Sequence, residues 1–210
     1  GAASTIAPDT ESGAETWAFI PPSLLAMQTR LAGKQAATPV RPEYGMDGEA
    51  VALVTDHNHD GTIDPAAGDS VWVYIGQRRG GHNLYAFDMS DPDKPQFKWQ
   101  ISNRAPGFER LALTFSTPRV AMLDLVGVGP VRALLFAGGY NGGWNGTARI
   151  GKDAGAADDE TGNAIYAVNA DTGELLWQAA GPGALQPQPA NGSPVLFVPA
   201  LRDSISSALS

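Results

Sequence analysis

The sequence predicts an all-β fold in which four-stranded antiparallel sheets repeat along the chain, as in part of a β-propeller. Three observations predict it. Gly (25) and Pro (16) together make about a fifth of the 210 residues, and so many turn-forming residues favour short strands joined by turns. Apolar residues make 43% of the chain, enough for a packed core. Strand-like segments also recur in a constant order, which is the sequence signature of a repeat architecture.

The first part of the chain is predicted to hold a flexible segment and one helix. Residues 1–12 are interpreted as a flexible N-terminal segment, and residues 13–210 as a fragment of a propeller domain. Because the chain starts with Gly1 rather than Met, we expect it to be a piece of a longer protein. A short helix is predicted near residues 22–32, since prolines open this segment, apolar residues recur at helical spacing and Gly33 follows it.

The repeated unit begins with two apolar strands. Its opening strand has small residues followed by an apolar run, at 48–54, 116–122 and 192–198. A second run, at 71–76 and 131–138, is apolar at consecutive positions. Such a strand is expected to be covered on both faces of its sheet, because an exposed face would select alternating polar residues.

The unit ends with a hairpin that carries an aromatic–Ala pair and a Trp. One hairpin runs through 83–88 and returns through 97–99, and the other runs through 163–169 and returns through 175–177. A shorter aromatic–Ala segment stands at 17–19. Asp-Thr-Gly at 171–173 is typical of a hairpin turn, because Gly accepts the positive φ that such turns require.

Together these strands predict two complete propeller blades, at about 47–101 and 115–179, with partial blades at either end. A propeller has roughly 4–8 blades, so the chain is expected to form about half of one. Its outer blades would expose apolar faces unless the remainder of the propeller covers them. An antiparallel sandwich is the alternative, although a sandwich does not need a repeated four-strand order.

Composition excludes several classes of function. The net charge of −8 repels phosphate backbones, so no nucleic-acid partner is expected. Cysteine is absent, which rules out thiolate metal sites, Cys nucleophiles and disulfides. No apolar stretch approaches the ~18 residues of a membrane span. With three His and no Ser/His/Asp grouping at useful spacing, we predict no catalytic residues, no organic cofactor site and no enzyme activity.

The strongest chemical signal is a loop of spaced oxygen donors at 56–64. A chain with this spacing and a Gly at its sixth position can wind around a hard cation. Ca²⁺ is favoured over Mg²⁺, because it accepts six to eight oxygens in irregular geometry. Ala67 stands where an EF-hand has its bidentate Glu, and Asp69 could substitute. The predicted ligands are the side chains of Asp56, Asn58, Asp60 and Asp64 and the backbone carbonyl of Thr62.

The alternative for this loop is a connection rich in Asx turns, with solvated charges and no metal. His57 and His59 are predicted to face solvent, since a zinc site would need a third ligand nearby. Three other polar segments are interpreted as ordinary surface: a Gly-rich connection at 138–146, an acidic loop at 158–160 and a turn with exposed arginines at 78–81.

The series of motifs resembles the C-terminal propeller of PilY/PilC-type proteins, which are tip-located adhesins and biogenesis factors of bacterial type IV pili. The similarity runs from about residue 13 to the end, and the order of its motifs makes it more specific than any one of them. The motifs stand at 15–22, 56–64, 76–88, 115–118, 137–140 and 162–177. The resemblance implies a partial, modified propeller similar to that of quinoproteins.

The resemblance also implies export and a location at the cell surface or pilus tip, associated with the outer membrane. Its implied partners are pilus subunits or minor pilins and a host-surface receptor. Its implied roles are support of pilus assembly and adhesion, with calcium control of pilus extension and retraction. Two departures stand out. Arg79-Gly80 is followed by Gly81, so no Arg-Gly-Asp tripeptide forms, and residues 203–207 resemble the approach to a further calcium loop that this chain does not contain.

Two other functions remain open at this point. The hairpins also resemble those of quinoprotein (PQQ-type) dehydrogenases, which need a closed propeller with a polar central funnel. A scaffold propeller for outer-membrane assembly is the other alternative.

Overall fold

The computed structural model describes residues 15–33, 44–144, 148–155, 158–180, 184–185, 203 and 205–206. The predicted N-terminal segment 1–12 and the predicted opening strand at 192–198 lie outside these residues. The chain divides into two compact units, residues 1–36 and 37–210, which are taken separately.

The first unit contains the predicted helix. A single 3₁₀ turn, Pro22–Leu24, leads into α1, Leu25–Ala32. Pro22 stands in the first turn, where its missing N–H leaves no hydrogen bond unmade. The helix ends at Gly33, whose N–H donates to the carbonyl of Thr29. The prediction of one short helix near residues 22–32 is confirmed.

The second unit is built of antiparallel strands, which confirms the all-β class. The first sheet pairs four strands in chain order, β1 to β4: Ala50–Thr55, Ser70–Gly76, Asn83–Asp88 and Gln96–Ser102. The second sheet has the spatial order β11-β10-β9-β6-β5, and a two-stranded ribbon pairs β7 with β8. Their bounds are β5 Arg119–Leu125, β6 Gly129–Ala137, β7 Gly142–Trp144, β8 Arg149–Gly151, β9 Ala164–Asn169, β10 Leu175–Ala180 and β11 Ala184–Leu185.

The β9–β10 turn shows why this sequence forms a tight hairpin. The side-chain oxygen of Asn169 accepts hydrogen bonds from the backbone N–H groups of Asp171 and Thr172. Gly173 has φ +74°, a conformation that costs a residue with a Cβ. A Cβ at Gly173 would also lie 2.8 Å from Cδ2 of Trp99, so the turn meets the first sheet at close range.

The main core lies between the two sheets. It buries aromatic and aliphatic side chains from both, including Tyr74 and Trp99 of the first sheet and Phe136 and Tyr166 of the second. The indole N–H of Trp99 and the hydroxyl of Tyr74 both donate to the backbone carbonyl of Ala170. The two sheets therefore share one buried apolar layer, and the removal of these side chains from water stabilises their packing.

Two elements differ from the sequence-based interpretation. Part of the Gly-rich segment 138–146, interpreted as a connection, forms β7 of the ribbon, and β11 adds a fifth strand to the second sheet. Neither strand has the alternation of apolar and polar residues from which a strand is predicted. The strand β7 is Gly142–Trp144, and β11 is only two residues long. Among the described strands, the two larger sheets share one core, the β7–β8 ribbon is separate, and no closed propeller is formed.

Candidate functional site

The candidate calcium loop joins the first two strands of the first sheet. Asp56 follows the end of β1, and Asp69 directly precedes β2. Most of the loop is exposed, but Asp69 is buried, with 4% of its surface accessible. The two ends of the loop are therefore held close together by the regular antiparallel pairing of β1 with β2.

Asp56 organises the first half of the loop. Its Oδ1 accepts from the N–H of His59 at 2.7 Å, and its Oδ2 accepts from the N–H of Gly61 at 2.9 Å. Both residues have positive φ, +57° at His59 and +80° at Gly61. The backbone thus curls around the Asp56 carboxylate, and Gly61 occupies a position where a side chain would be strained.

Asn58 and Asp60 meet at the rim of the loop. The amide Nδ2 of Asn58 donates to Oδ2 of Asp60 at 2.8 Å, and the N–H of Asp60 donates to Oδ1 of Asn58 at 3.1 Å. The other oxygen of Asp60 accepts from the N–H of Thr62 at 2.7 Å. These are Asx-type turns, in which a side-chain oxygen bonds the backbone two residues on.

The second half of the loop is held by Asp64 and Asp69. Asp64 caps the 3₁₀ turn Pro65–Ala67, where its Oδ1 accepts from the N–H of Ala66. The Asp69 carboxylate accepts from the N–H of His57 at 2.9 Å and from that of Asp64 at 3.0 Å. These backbone hydrogen bonds lower the pKa of Asp69, because they stabilise its ionised form.

The structure brings the predicted ligands together in part. Asn58 contacts Asp60, and Asp69 links the start of the loop to Asp64. In the described part of the chain, no group of three or more His, Cys, Asp or Glu side chains is arranged to hold a metal ion. Each Asp56 oxygen accepts one backbone N–H and keeps a second lone pair, so the loop's all-oxygen donor set still fits a hard cation.

A positively charged side chain from the second sheet lies beside the start of the loop. Arg132 of β6 donates from Nη1 to Oγ1 of Thr55 at 2.8 Å, one residue before Asp56. Its guanidinium carbon lies 5.8 Å from the ring centroid of Trp72. His57 and His59 are exposed, as predicted for residues that face solvent. The start of the loop therefore lies next to a cationic side chain of the second sheet.

The acidic segment at 158–160 differs from its interpretation as a solvated loop. Asp158 and Glu160 are exposed, but Asp159 is buried, with 3% of its surface accessible. One Asp159 oxygen accepts from the amide of Asn141 at 3.1 Å, and the other lies 3.8 Å from Nζ of Lys152. The buried carboxylate is thus hydrogen-bonded by the neutral amide of Asn141 and lies near the cationic Lys152, so it is not simply solvated.

The arginine turn is also more organised than an exposed turn. Arg78 and Arg79 are about half exposed, but both pair with Asp47. The guanidinium of Arg78 lies over the ring of Phe115, and that of Arg79 lies over the ring of Tyr44. Cation–π stacking and ion pairing together hold the two side chains in place. The sequence carries no signal for these contacts, because every one of the three partners lies more than 30 residues away along the chain.

Comparisons with known proteins give a similarity at the level of structure. No protein-family model and no curated protein matches the chain. Among solved structures, the chain is similar to the crystal structure of the Pseudomonas aeruginosa PilY1 C-terminal domain, at 20% sequence identity and a TM-score of 0.49. The similarity covers 82% of this chain and 27% of that chain. It assigns neither a family nor an activity to this protein. None of the described helices is both long and apolar enough to span a membrane.

Proposed function

We propose that this chain is a non-enzymatic, calcium-binding surface module of a type IV pilus-tip adhesin or pilus biogenesis protein. The proposal rests on the loop at 56–69, in which oxygen donors at the calcium spacing stand on a curled backbone. The ordered series of motifs that resemble PilY/PilC-type proteins supports the pilus context. Its partners would be pilus subunits or minor pilins and a host-surface receptor, outside the cell.

Calcium would act on the fold through the loop. In the proposed bound state, Asp60 and Asp64 turn toward the ion beside Asp56, while Asn58 offers its amide oxygen and Thr62 its carbonyl. The hydrogen bonds from His59 and Gly61 to Asp56 already set the curl of the backbone. Binding therefore requires side-chain rotation more than refolding, which keeps its entropic cost low.

A thermal melt in calcium and in chelator tests the binding. For a site with Kd near 10⁻⁴ M, 10 mM Ca²⁺ is about 100 times Kd and adds roughly 2.7 kcal/mol, or about 5–10 °C in Tm. We expect Asp60→Ala to abolish the rise. Asp124→Ala, which removes an exposed carboxylate on β5, is the matched control and should keep it. Identical melting of the wild type in calcium and chelator would show that the loop is an Asx-turn connection without a metal.

Two further measurements separate the proposed function from its alternatives. A quinoprotein dehydrogenase would take up pyrroloquinoline quinone stoichiometrically, with a shift in the absorbance of the quinone, and we expect no uptake. An outer-membrane assembly scaffold would co-purify with membrane machinery. We expect the chain instead to bind minor pilins, measured by co-purification from a piliated strain with a pilin-deficient strain as the control.

A further inference from the structure

A cleft of about 550 Å³ lies beside the end of β1. One wall is formed by residues 53–57 and His59, where β1 passes into the 56–69 loop, and the other by Arg132 of β6. This volume is within the range of roughly 300–1,000 Å³ that is typical of small-molecule sites. Because β1 belongs to the first sheet and β6 to the second, the cleft is formed jointly by the two sheets.

The side chain of Arg132 is held in the cleft wall by two contacts. Its Nη1 donates to Oγ1 of Thr55 at 2.8 Å, and its guanidinium carbon lies 5.8 Å from the ring centroid of Trp72. The residue is half-buried. A guanidinium that is already positioned in this way loses little side-chain entropy when it binds a ligand.

Neither contact of Arg132 balances its positive charge, because the hydroxyl of Thr55 and the ring of Trp72 are both neutral. Lys98 lies over the same ring, at 3.8 Å from its centroid, and is paired with the carboxylate of Asp171 at 2.6 Å. Arg132 has no such carboxylate within 4 Å in the described part of the chain. A guanidinium has five N–H donors, so the cleft offers a fixed charge and several donors to an anion.

The rest of the lining limits which anion can bind. Asp56 is acidic, but both of its oxygens accept backbone N–H groups inside the loop. Leu53 and Val54 give the cleft an apolar wall, and Val54 is 57% exposed. The carboxylates of the neighbouring loop repel a phosphate dianion about twice as strongly as a monoanion. The lining therefore favours a single negative charge attached to an apolar group.

We propose that this cleft binds a small ligand that carries a carboxylate on an apolar body. Two N–H groups of Arg132 donate to the two carboxylate oxygens, since the planar fork of a guanidinium matches the geometry of a carboxylate. The apolar body lies against Leu53 and Val54. The site uses no ion in the 56–69 loop, so it is a binding function in addition to the proposed calcium site.

Titration of the full chain with 4-methylpentanoate tests the proposal, in buffer freed of divalent cations on a chelating resin. We expect saturable ¹H–¹⁵N NMR shifts at the backbone amides of Thr55 and His57 and at the Nε–H of Arg132. The matched neutral probe, 4-methylpentanamide, should bind at least roughly tenfold more weakly, because it cannot form charge-assisted hydrogen bonds with the guanidinium.

Two substitutions locate the binding in the cleft. Arg132→Gln removes the charge and should weaken the binding of 4-methylpentanoate at least roughly tenfold. Arg104→Gln, at an exposed arginine in the turn after β4, is its control and should leave the affinity unchanged. Because Arg132 also contacts both sheets, Val54→Asp is the second variant. It puts a negative charge into the cleft at an exposed position and should abolish binding. Val128→Asp, at a residue 68% exposed in the β5–β6 turn, is its control.

The proposal is overturned if no saturable shift appears at the cleft or if the amide binds as tightly as the carboxylate. It also fails if neither Arg132→Gln nor Val54→Asp weakens binding, since the probe would then bind elsewhere. Tighter binding of inorganic phosphate than of 4-methylpentanoate would overturn the assignment to a carboxylate. These results are independent of the proposed calcium site, because every titration is run without calcium.

Discussion

Among single residues, Asp69 joins the two halves of the 56–69 loop. It directly precedes β2 and accepts hydrogen bonds from the backbone N–H groups of His57 and Asp64, so one carboxylate links the start of the loop to its second half. An Asn has one carbonyl oxygen and one NH₂ group in the same place, and only the oxygen can accept. In Asp69→Asn, the side-chain NH₂ group would therefore face the backbone N–H of either His57 or Asp64, and that N–H would lose its acceptor.

Asp69→Asn is expected to lower stability at neutral pH, and the loss should shrink in acid. The pKa of Asp69 is lowered in the folded protein, so its ionised form stabilises the fold above the ordinary pKa of about 3.9. That contribution disappears as pH falls through the lowered value. Urea unfolding of both proteins between pH 7 and pH 3 measures it, with Asp124→Asn as the control for lost charge. A difference that does not change with pH would contradict this role.

At the scale of elements, the β9–β10 turn is a point of close approach between the second sheet and the first. Gly173 has both a positive φ and Trp99 close to its Cα hydrogen. Gly127, in the β5–β6 turn, has a similar φ of +78° but nothing within 4 Å of a built Cβ. A comparison of substitutions at these two glycines therefore separates the cost of backbone strain from the cost of close packing between the sheets.

Gly173→Ala is expected to cost more stability than Gly127→Ala. Both variants pay about 1–2 kcal/mol for a left-handed non-Gly residue. Only Gly173→Ala also places a methyl group against Trp99, and such overpacking lowers the stability by about 1–3 kcal/mol more. Each kcal/mol lost corresponds to a fall of roughly 2–4 °C in Tm. Thermal melts followed by circular dichroism compare the two. Equal losses would show that the contact between Gly173 and Trp99 is loose in solution.

The sequence anticipated the regular elements better than the short ones. The alternation and turn chemistry of 163–177 predict β9 and β10, and the hairpin forms with Gly173 in its turn. The ribbon strand β7 has no such signal, because it is built from Gly142, Gly143 and Trp144 and pairs with a segment that is equally short. Its hydrogen bonds depend on neighbours that the fold supplies, including Asp153, which accepts from the N–H of Gly143.

On the scale of the whole molecule, two tyrosines report on the layer between the sheets. Tyr74 and Tyr166 are fully buried, and burial is the main cause that raises the pKa of each. The hydroxyl of Tyr74 donates to the carbonyl of Ala170. The hydroxyl of Tyr166 has no hydrogen-bond partner among the described residues.

Stability is expected to fall as pH rises above about 10, the ordinary pKa of tyrosine. The folded state keeps both protons there, while the unfolded state loses them, so unfolding is favoured. Tyr166→Phe should reduce this alkaline loss and change stability little at pH 7, because it removes an unpaired hydroxyl. Tyr74→Phe should cost about 0.5–1.5 kcal/mol at pH 7 through its lost hydrogen bond. Urea midpoints between pH 8 and pH 11 measure both effects. If both variants lost stability with rising pH as steeply as the wild type, the buried tyrosines would not be the cause of the alkaline loss.

The amino-acid sequence by itself determined the all-β class, the short helix, the repeated strand order and the oxygen donors at 56–64, because each follows from local spacing and turn chemistry. Only the tertiary structure decided which side of one sheet packs on the other, and that Asp69 and Asp159 are buried. These features depend on partners distant in sequence, such as Ala170 for Trp99 and Asn141 for Asp159. Their free energy comes from desolvation and packing between elements, which no local pattern records.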